Sequence, residues 1–206
     1  MAYLNQMRKH SFLSILFSLV LTSFCAAQEL KPDTVIKDLD ADQHPDSIFF
    51  DKAAARIICK LSSQAFREIK SKEIDNIELV MTGIRPLENG FEFFNNWMRA
   101  GYTCFFRYDK KTKSIRLVSM SRYEFGNAAN DGSGNSSINL ITHQYIGNWN
   151  YYDQEKEKLI KMPVIRKNLV LPITHLEDFS DQQVEDYAFK CSDLMETLKT
   201  KRSRRE

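Results

Sequence analysis

Three separated stretches of this chain share one pattern, and it restricts what the chain can fold into. SIFFDKAAARIICKL (47–61), CFFRYDKKTKSIRLV (104–118) and NWNYYDQEKEKLIKM (148–162) each run aromatic residues into an Asp, then five residues that are mostly polar apart from three alanines in the first copy, then an Ile or Leu opening a second apolar run. The anchors are Asp51 and Ile57, Asp109 and Ile115, and Asp153 and Leu159, six residues apart in every copy. An Asp side chain starts a tight turn by accepting from the backbone N–H groups that follow it. Short aromatic and β-branched runs suit strands. Each copy therefore reads as a strand, an Asp-led turn and a returning strand. A shorter hairpin, SINLITHQYIGNW (137–149), turns near Thr142-His143-Gln144. From Asp51 to Asp109 is 58 residues and from Asp109 to Asp153 is 44, too irregular for a solenoid. Such spacing fits an antiparallel meander with varied insertions, or the blades of a small β-propeller-like domain.

IELVMTGIRPLENGFEFFNNW (77–97) adds two strands around Pro86–Gly90, with Asn89-Gly90 as the turn signal. YEFGNAANDGSGNSS (123–137) is poor in apolar residues and rich in Gly, Asn and Ser, and is expected to be a loop. The end of the chain changes period. In FSDQQVEDYAFKCSDLMETLKTK (179–201), Ser180 is placed to cap a helix, with Asp181 in its first turn and Gln183 completing a capping box. Val184, Tyr187, Ala188, Cys191, Leu194, Met195 and Leu198 then form one apolar stripe. The expectation is mainly β, one β-rich domain over residues 28–206, with a C-terminal helix over about 181–200 that packs on the sheet.

The first residues read as a targeting segment. Arg8 and Lys9 precede an uncharged apolar run, Ser11 to Cys25, of 15 residues. A membrane span needs about 20. Cys25 and Ala27 supply the small residues for cleavage before Gln28, so residues 1–27 are expected to be a signal peptide. An uncleaved anchor and lipidation at Cys25 are the alternatives. Removal leaves 179 of the 206 residues and no membrane span in the mature chain. It also takes away Arg8 and Lys9 and no acidic residue, so the formal charge falls from +2 to zero. A neutral chain offers no basic field for nucleic acid. A periplasmic or secreted location follows. The cysteines that remain, Cys59, Cys104 and Cys191, cannot all pair within one chain, and Cys59 and Cys104 lie in apolar runs that suit small buried residues.

One segment carries metal chemistry. KDLDADQHPDSIFF (37–50) sets Asp38, Asp40, Asp42 and Asp46 at positions 1, 3, 5 and 9 of a loop, with the carbonyl of His44 at position 7. Hard cations want oxygen ligands, and calcium takes six to eight. Carboxylates this close repel one another unless a cation holds them or water screens them. A structural cation site, with calcium as the ion, and an acidic turn are the two readings. The loop departs from an EF-hand at position 6, where Gln43 replaces Gly, and at position 12, where Phe49 replaces Glu and lies in a strand. The spacing DxDxDxxxD running into a strand resembles the calcium loops of FG-GAP (integrin-type) β-propeller repeats, closely over about 14 residues. More loosely, NLITHQYIGNW (139–149) is similar to segments of small exported propeller-like proteins, among them periplasmic inhibitors of peptidoglycan-cleaving enzymes. That resemblance implies a structural calcium ion and a non-enzymatic, protein-binding role.

No P-loop, GxGxxG, GxSxG, HExxH or CxxC motif occurs, and no catalytic or organic-cofactor residue is assigned. The aromatic stretch FEFFNNWMRAGYTCFFRY (91–108) holds Trp97, Arg99, Tyr102 and Arg107, residue types that anchor interfaces, and it also suits a sheet core. The expected function is an exported calcium-binding domain with a protein partner in the bacterial envelope, in its sharpest form an inhibitor or immunity protein against a cell-wall hydrolase. An envelope hydrolase acting on glycan or peptide, and a structural surface protein, stand as alternatives.

Overall fold

Each hairpin motif closes in the same way. In the computed structural model, which describes residues 34–203 apart from Leu79 and only the backbone of 201–203, Asp51 pairs with Arg56, Asp109 with Ser114, and Asp153 with Lys158. The Asp51 Oδ1 accepts from the N–H groups of Ala53 and Ala54, both at 3.0 Å. Asp109 takes the N–H of Lys111 at 2.9 Å, and Asp153 takes those of Glu155 and Lys156 at 3.1 and 3.0 Å. The last turn residue, Ala55, Lys113 or Glu157, has positive φ in every copy. The fourth hairpin uses Asn for Asp: Asn139 Oδ1 accepts from Ile141 and Thr142, and His143 takes the positive φ. Hydrogen bonds from turn N–H groups, that of Lys111 to Asp109 and that of Lys156 to Asp153 foremost, hold both carboxyls below their ordinary value of 3.8. A depressed folded-state value adds stability above the ordinary one, and that gain is lost as pH falls below it. Asp109→Asn with Asp153→Asn is expected to leave the urea midpoint at neutral pH little changed. Its urea midpoint will fall less steeply below pH about 4.

The strands form two antiparallel sheets. The first contains β1 (Val35–Lys37), β2 (Asp46–Asp51), β3 (Arg56–Lys60) and β4 (Glu68–Lys70) in chain order. The second is a meander of β5 (Thr82–Leu87), β6 (Gly90–Asn96), β7 (Ala100–Asp109), β8 (Ser114–Glu124), β9 (Gly134–Asn139), β10 (Gln144–Asp153) and β11 (Lys158–Lys161). An eighth strand, β12 (Ile165–Asn168), pairs residues 144–147 of β10, while β11 pairs residues 150–153. Of the two architectures expected, the meander is the one observed; no closed barrel or propeller is present among the described residues. Pro86 is tolerated because β5 ends the sheet, where a missing N–H breaks no ladder bond.

The helix α1 (Asp181–Ser203) begins where expected. Ser180 N–H donates to Gln183 Oε1 at 2.7 Å, and Gln182 N–H donates to Ser180 Oγ at 3.4 Å, which makes the reciprocal capping box. Its stripe buries Val184, Tyr187 and Cys191 against the larger sheet, where the Tyr187 and Ser136 hydroxyls meet at 2.8 Å. On the same core, Phe50 of β2 packs on Phe93 of β6 with ring centroids 5.3 Å apart. Phe179 stands edge-on to Phe93 and to Phe106. The three cysteines of the described residues, Cys59, Cys104 and Cys191, are free and buried.

The loop expected over residues 123–137 is shorter than its composition suggests: only 125–133 joins β8 to β9. The polar run 134–137 is a strand because β8 and β10 hydrogen-bond it on both sides, which overrides weak intrinsic propensity. All described residues lie in one compact unit, Pro32–Glu206, and none of their helices is long and apolar enough to cross a membrane. The signal peptide expected over 1–27, its cleavage site and Cys25 lie outside the described residues.

Candidate metal centre

The aspartates occupy the connection from β1 to β2. Alternation with Leu39, Ala41 and Gln43 lets successive carboxylates turn inward while the chain curls. The curl needs left-handed backbone at Ala41 (φ 64°) and at Gln43 (φ 72°). Gln43 thus adopts the conformation for which Gly is the usual residue at position 6. An L-residue held there pays about 1–2 kcal/mol, partly offset by the greater chain entropy a Gly would lose. Gln43→Gly is therefore expected to raise the unfolding free energy by about 0.5–1 kcal/mol, read as a higher urea midpoint at unchanged slope.

Asp38, Asp40 and Asp42 each bring a carboxylate oxygen within 4.8 Å of the others. Loop N–H groups point into this cluster. Asp38 Oδ1 accepts from Ala41 at 2.8 Å and Asp42 at 3.2 Å, and Asp38 Oδ2 accepts from Gln43 at 3.0 Å. Asp40 Oδ1 accepts from the Asp42 N–H at 3.2 Å, and Asp42 Oδ1 accepts from the His44 N–H at 2.8 Å. The Ser62 hydroxyl and the His44 N–H hold the Asp42 carboxyl below its ordinary range.

Asp46 and the His44 ring are not part of that cluster. Asp46 is 1% exposed and acts as a bracket. Its Oδ2 accepts from the Leu39 N–H at 2.7 Å, and its Oδ1 accepts from the Ser62 N–H at 2.8 Å. The His44 side chain is 73% exposed and folds back to 3.7 Å from Asp42 Oδ1. No lysine or arginine pairs with the four aspartates among the described residues; Lys37, the nearest in sequence, reaches the carbonyls of Leu87 and Glu88 instead.

Two residues at this site carry no motif signal in the sequence. Ser62 and Ser63 open a short 3-10 turn after β3. The Ser62 hydroxyl donates to Asp42 Oδ2 at 2.7 Å, and the Ser63 hydroxyl donates to Asp40 Oδ2. The loop is thus fastened to the far end of the first hairpin. Tyr108 stands close by. Burial raises its phenol, and the charges of Asp40, Asp46 and Asp42 raise it further. Burial lifts the Cys59 thiol well above its usual value, with Asp46 and Asp40 adding to it, so Cys59 is a neutral core residue and no nucleophile.

The donor set fits a hard cation. It is all oxygen, it is negative, and an oxygen that accepts one N–H keeps a second lone-pair direction free. It lacks the nitrogen or sulfur that would select zinc. Comparison with protein-family models, with curated proteins and with solved structures finds no match for the chain.

Proposed function

We propose that this chain is an exported, non-enzymatic protein-binding domain of the bacterial envelope, with a structural calcium ion clipping its first strand connection. Three mutually close carboxylates, Asp38, Asp40 and Asp42, with no lysine or arginine partner among the described residues and only the exposed His44 ring near Asp42, carry the reading. In it they are the ligands, and calcium supplies the positive charge that lets them stay together. Asp46, Ser62 and Ser63 hold the loop in shape around them. The resemblance of DLDADQHPD (38–46) to FG-GAP calcium loops supports the choice of calcium. The likeness to periplasmic inhibitors supports a partner such as a cell-wall hydrolase, with this chain as its inhibitor or immunity protein.

Calcium modules of extracellular type bind at about 10⁻⁴ to 10⁻³ M. At 10 mM calcium such a site adds about 1.4–2.7 kcal/mol to stability. For a chain of this size that raises Tm by roughly 3–10 °C over the same protein in EDTA. Asp40→Ala is expected to lose most of the rise. Superimposable melting curves in calcium and in EDTA end the metal reading. Failure of the purified chain to capture any stoichiometric protein from envelope extract, with and without calcium, ends the protein-binding reading.

A further inference from the structure

Where α1 crosses the ends of β6, β7 and β8, a cleft of about 170 Å³ opens, well away from the aspartate loop in sequence. Trp97, Gly101, Tyr123 and Glu124 line it from the sheet, and Glu185 and Ala188 line it from the helix. Gly101 lets the Tyr123 ring approach the backbone: a Cβ there would come within 2.7 Å of that ring. Trp97 is fixed from behind, its indole N–H donating to the Asn76 carbonyl at 2.6 Å and its ring lying 5.7 Å from that of Tyr102. The walls are thus aromatic and held in place.

Two carboxylates, Glu124 and Glu185, face one cation, Arg122, among the residues that line the cleft, and Asp181 and Asp75 add negative charge outside its lining. The Arg122 guanidinium is engaged by Glu124 and lies over the Trp149 ring. Glu185 has no cationic partner among the described residues, and neither have Asp181, one helical turn before it, nor Asp75. Asp181 accepts from the Tyr102 hydroxyl at 2.8 Å and from the Asp75 N–H. Burial raises its carboxyl, and Asp75 and Glu185 raise it further, as expected where negative charge gathers without a counter-ion.

The rim is apolar and open to solvent. Met98 is 87% exposed, Phe125 50% and Phe189 69%. Met98 adjoins Trp97, Phe125 packs on Tyr123 with centroids 5.6 Å apart, and Phe189 follows Glu185 by one turn. Arg99 lies over the Phe125 ring and is held by the carbonyls of residues 125–127, so the collar is apolar apart from this one tied-down cation; around an aromatic, acidic recess that is the composition of a protein docking point.

We infer that this cleft receives a lysine or arginine side chain of a protein partner, its cation lying against Trp97 and Tyr123 and paired with Glu185. Aromatic faces and a carboxylate are the two groups that hold a desolvated cation. The collar reaches beyond a small ligand and commits the cleft to a protein. The inference rests on the protein-binding reading above, and it needs no calcium.

The test is a titration of the ¹⁵N-labelled chain with N-acetyl-lysine methylamide and N-acetyl-arginine methylamide, with N-acetyl-norleucine methylamide as the uncharged control. The Trp97 indole N–H and the Gly101 and Ala188 amides are expected to shift with the two cations at millimolar concentration. The norleucine control should bind about tenfold more weakly, and Glu185→Gln, a change at an exposed position, should weaken the cations about fivefold without altering Tm. Equal shifts with norleucine, no shift at Trp97, or an unchanged Glu185→Gln titration overturns the inference. So does a dimeric mass by light scattering that Glu185→Lys returns to monomer, because the occupant is then a second copy. A protein captured equally by the parent and by Glu185→Lys overturns the cleft as docking point and leaves the protein-binding reading standing; capture of no protein at all removes that reading itself.

Discussion

Replacing Phe179 by Ala is expected to cost about 3–5 kcal/mol, the largest effect of any single change here. Phe179 is fully buried at the junction of every layer. Its ring stands edge-on to Phe106 at 5.1 Å and to Phe93 at 6.3 Å, and Phe93 in turn meets Phe50 of the smaller sheet. Its carbonyl accepts from the Lys72 N–H at 2.9 Å, which ties the end of β4 to the segment that leads into α1. Truncation leaves a cavity beside the Phe93 and Phe106 rings that β-strands cannot close by shifting. In a chain of this size the loss corresponds to a Tm lower by roughly 6–20 °C, read by circular dichroism. Phe179→Leu, which keeps most of the volume, should lose less than half as much. Equal losses for Leu and Ala would mean that ring geometry, not volume, holds the junction.

Phe179 also marks what local sequence could and could not reveal. The hairpins were legible because each is closed by its own residues: Asp51, Asp109 and Asp153 accept from N–H groups two or three positions on. The helix was legible for the same reason, since within a single turn Gln183 accepts from the Ser180 N–H and Ser180 accepts from the Gln182 N–H. What was hidden depends on partners far along the chain. The strand at Gly134–Asn139 exists because two neighbours pair with it, and Phe179 is a keystone only because Phe93 and Phe106 converge on it and Phe93 carries the contact on to Phe50.

The aspartate loop divides along the same line. Its spacing pointed to Asp38, Asp40, Asp42 and Asp46 with the His44 carbonyl, and the first three are the carboxylates that come together. Ser62 and Ser63 were missed because they are 20 and 23 residues from the aspartates they bind. A usable signal was present. Counting outward from the Asp51–Arg56 turn, the hairpin register carries Ser47 opposite Lys60 and so brings Asp46 beside Leu61 and Ser62. A serine pair at that point of the return strand is placed to donate to the acidic connection. The register also separates two duties that the spacing alone had merged, because it puts Asp46 inside the strand pairing while the other three remain in the loop.

Asp46→Ala is accordingly expected to destabilise the chain by about 2–4 kcal/mol in EDTA, with no calcium present. Its carboxylate is buried and takes two backbone N–H groups, those of Leu39 and Ser62, from opposite sides of the connection. Hydrogen bonds to a charged acceptor contribute about 1.5–3 kcal/mol each, and removing the acceptor leaves two donors without partners. Relief of repulsion from Asp40 and Asp42 offsets part of the loss. Asp46→Asn should cost nearly as much as Ala, because its NH₂ group must face one of the two N–H donors. Asp40→Ala in EDTA should behave oppositely. Asp40 gives up only one weak N–H contact and the Ser63 hydroxyl, and its loss relieves repulsion within the cluster, so its urea midpoint in EDTA stays near or above the parent's. Calcium then discriminates between the residues: the Asp46 variant keeps a measurable calcium-dependent rise in Tm, whereas the Asp40 variant loses most of it. Equal losses for Asp40→Ala and Asp46→Ala in EDTA would show that the four carboxylates act as one hydrogen-bonded turn, and the division between bracket and ligands would fall with it.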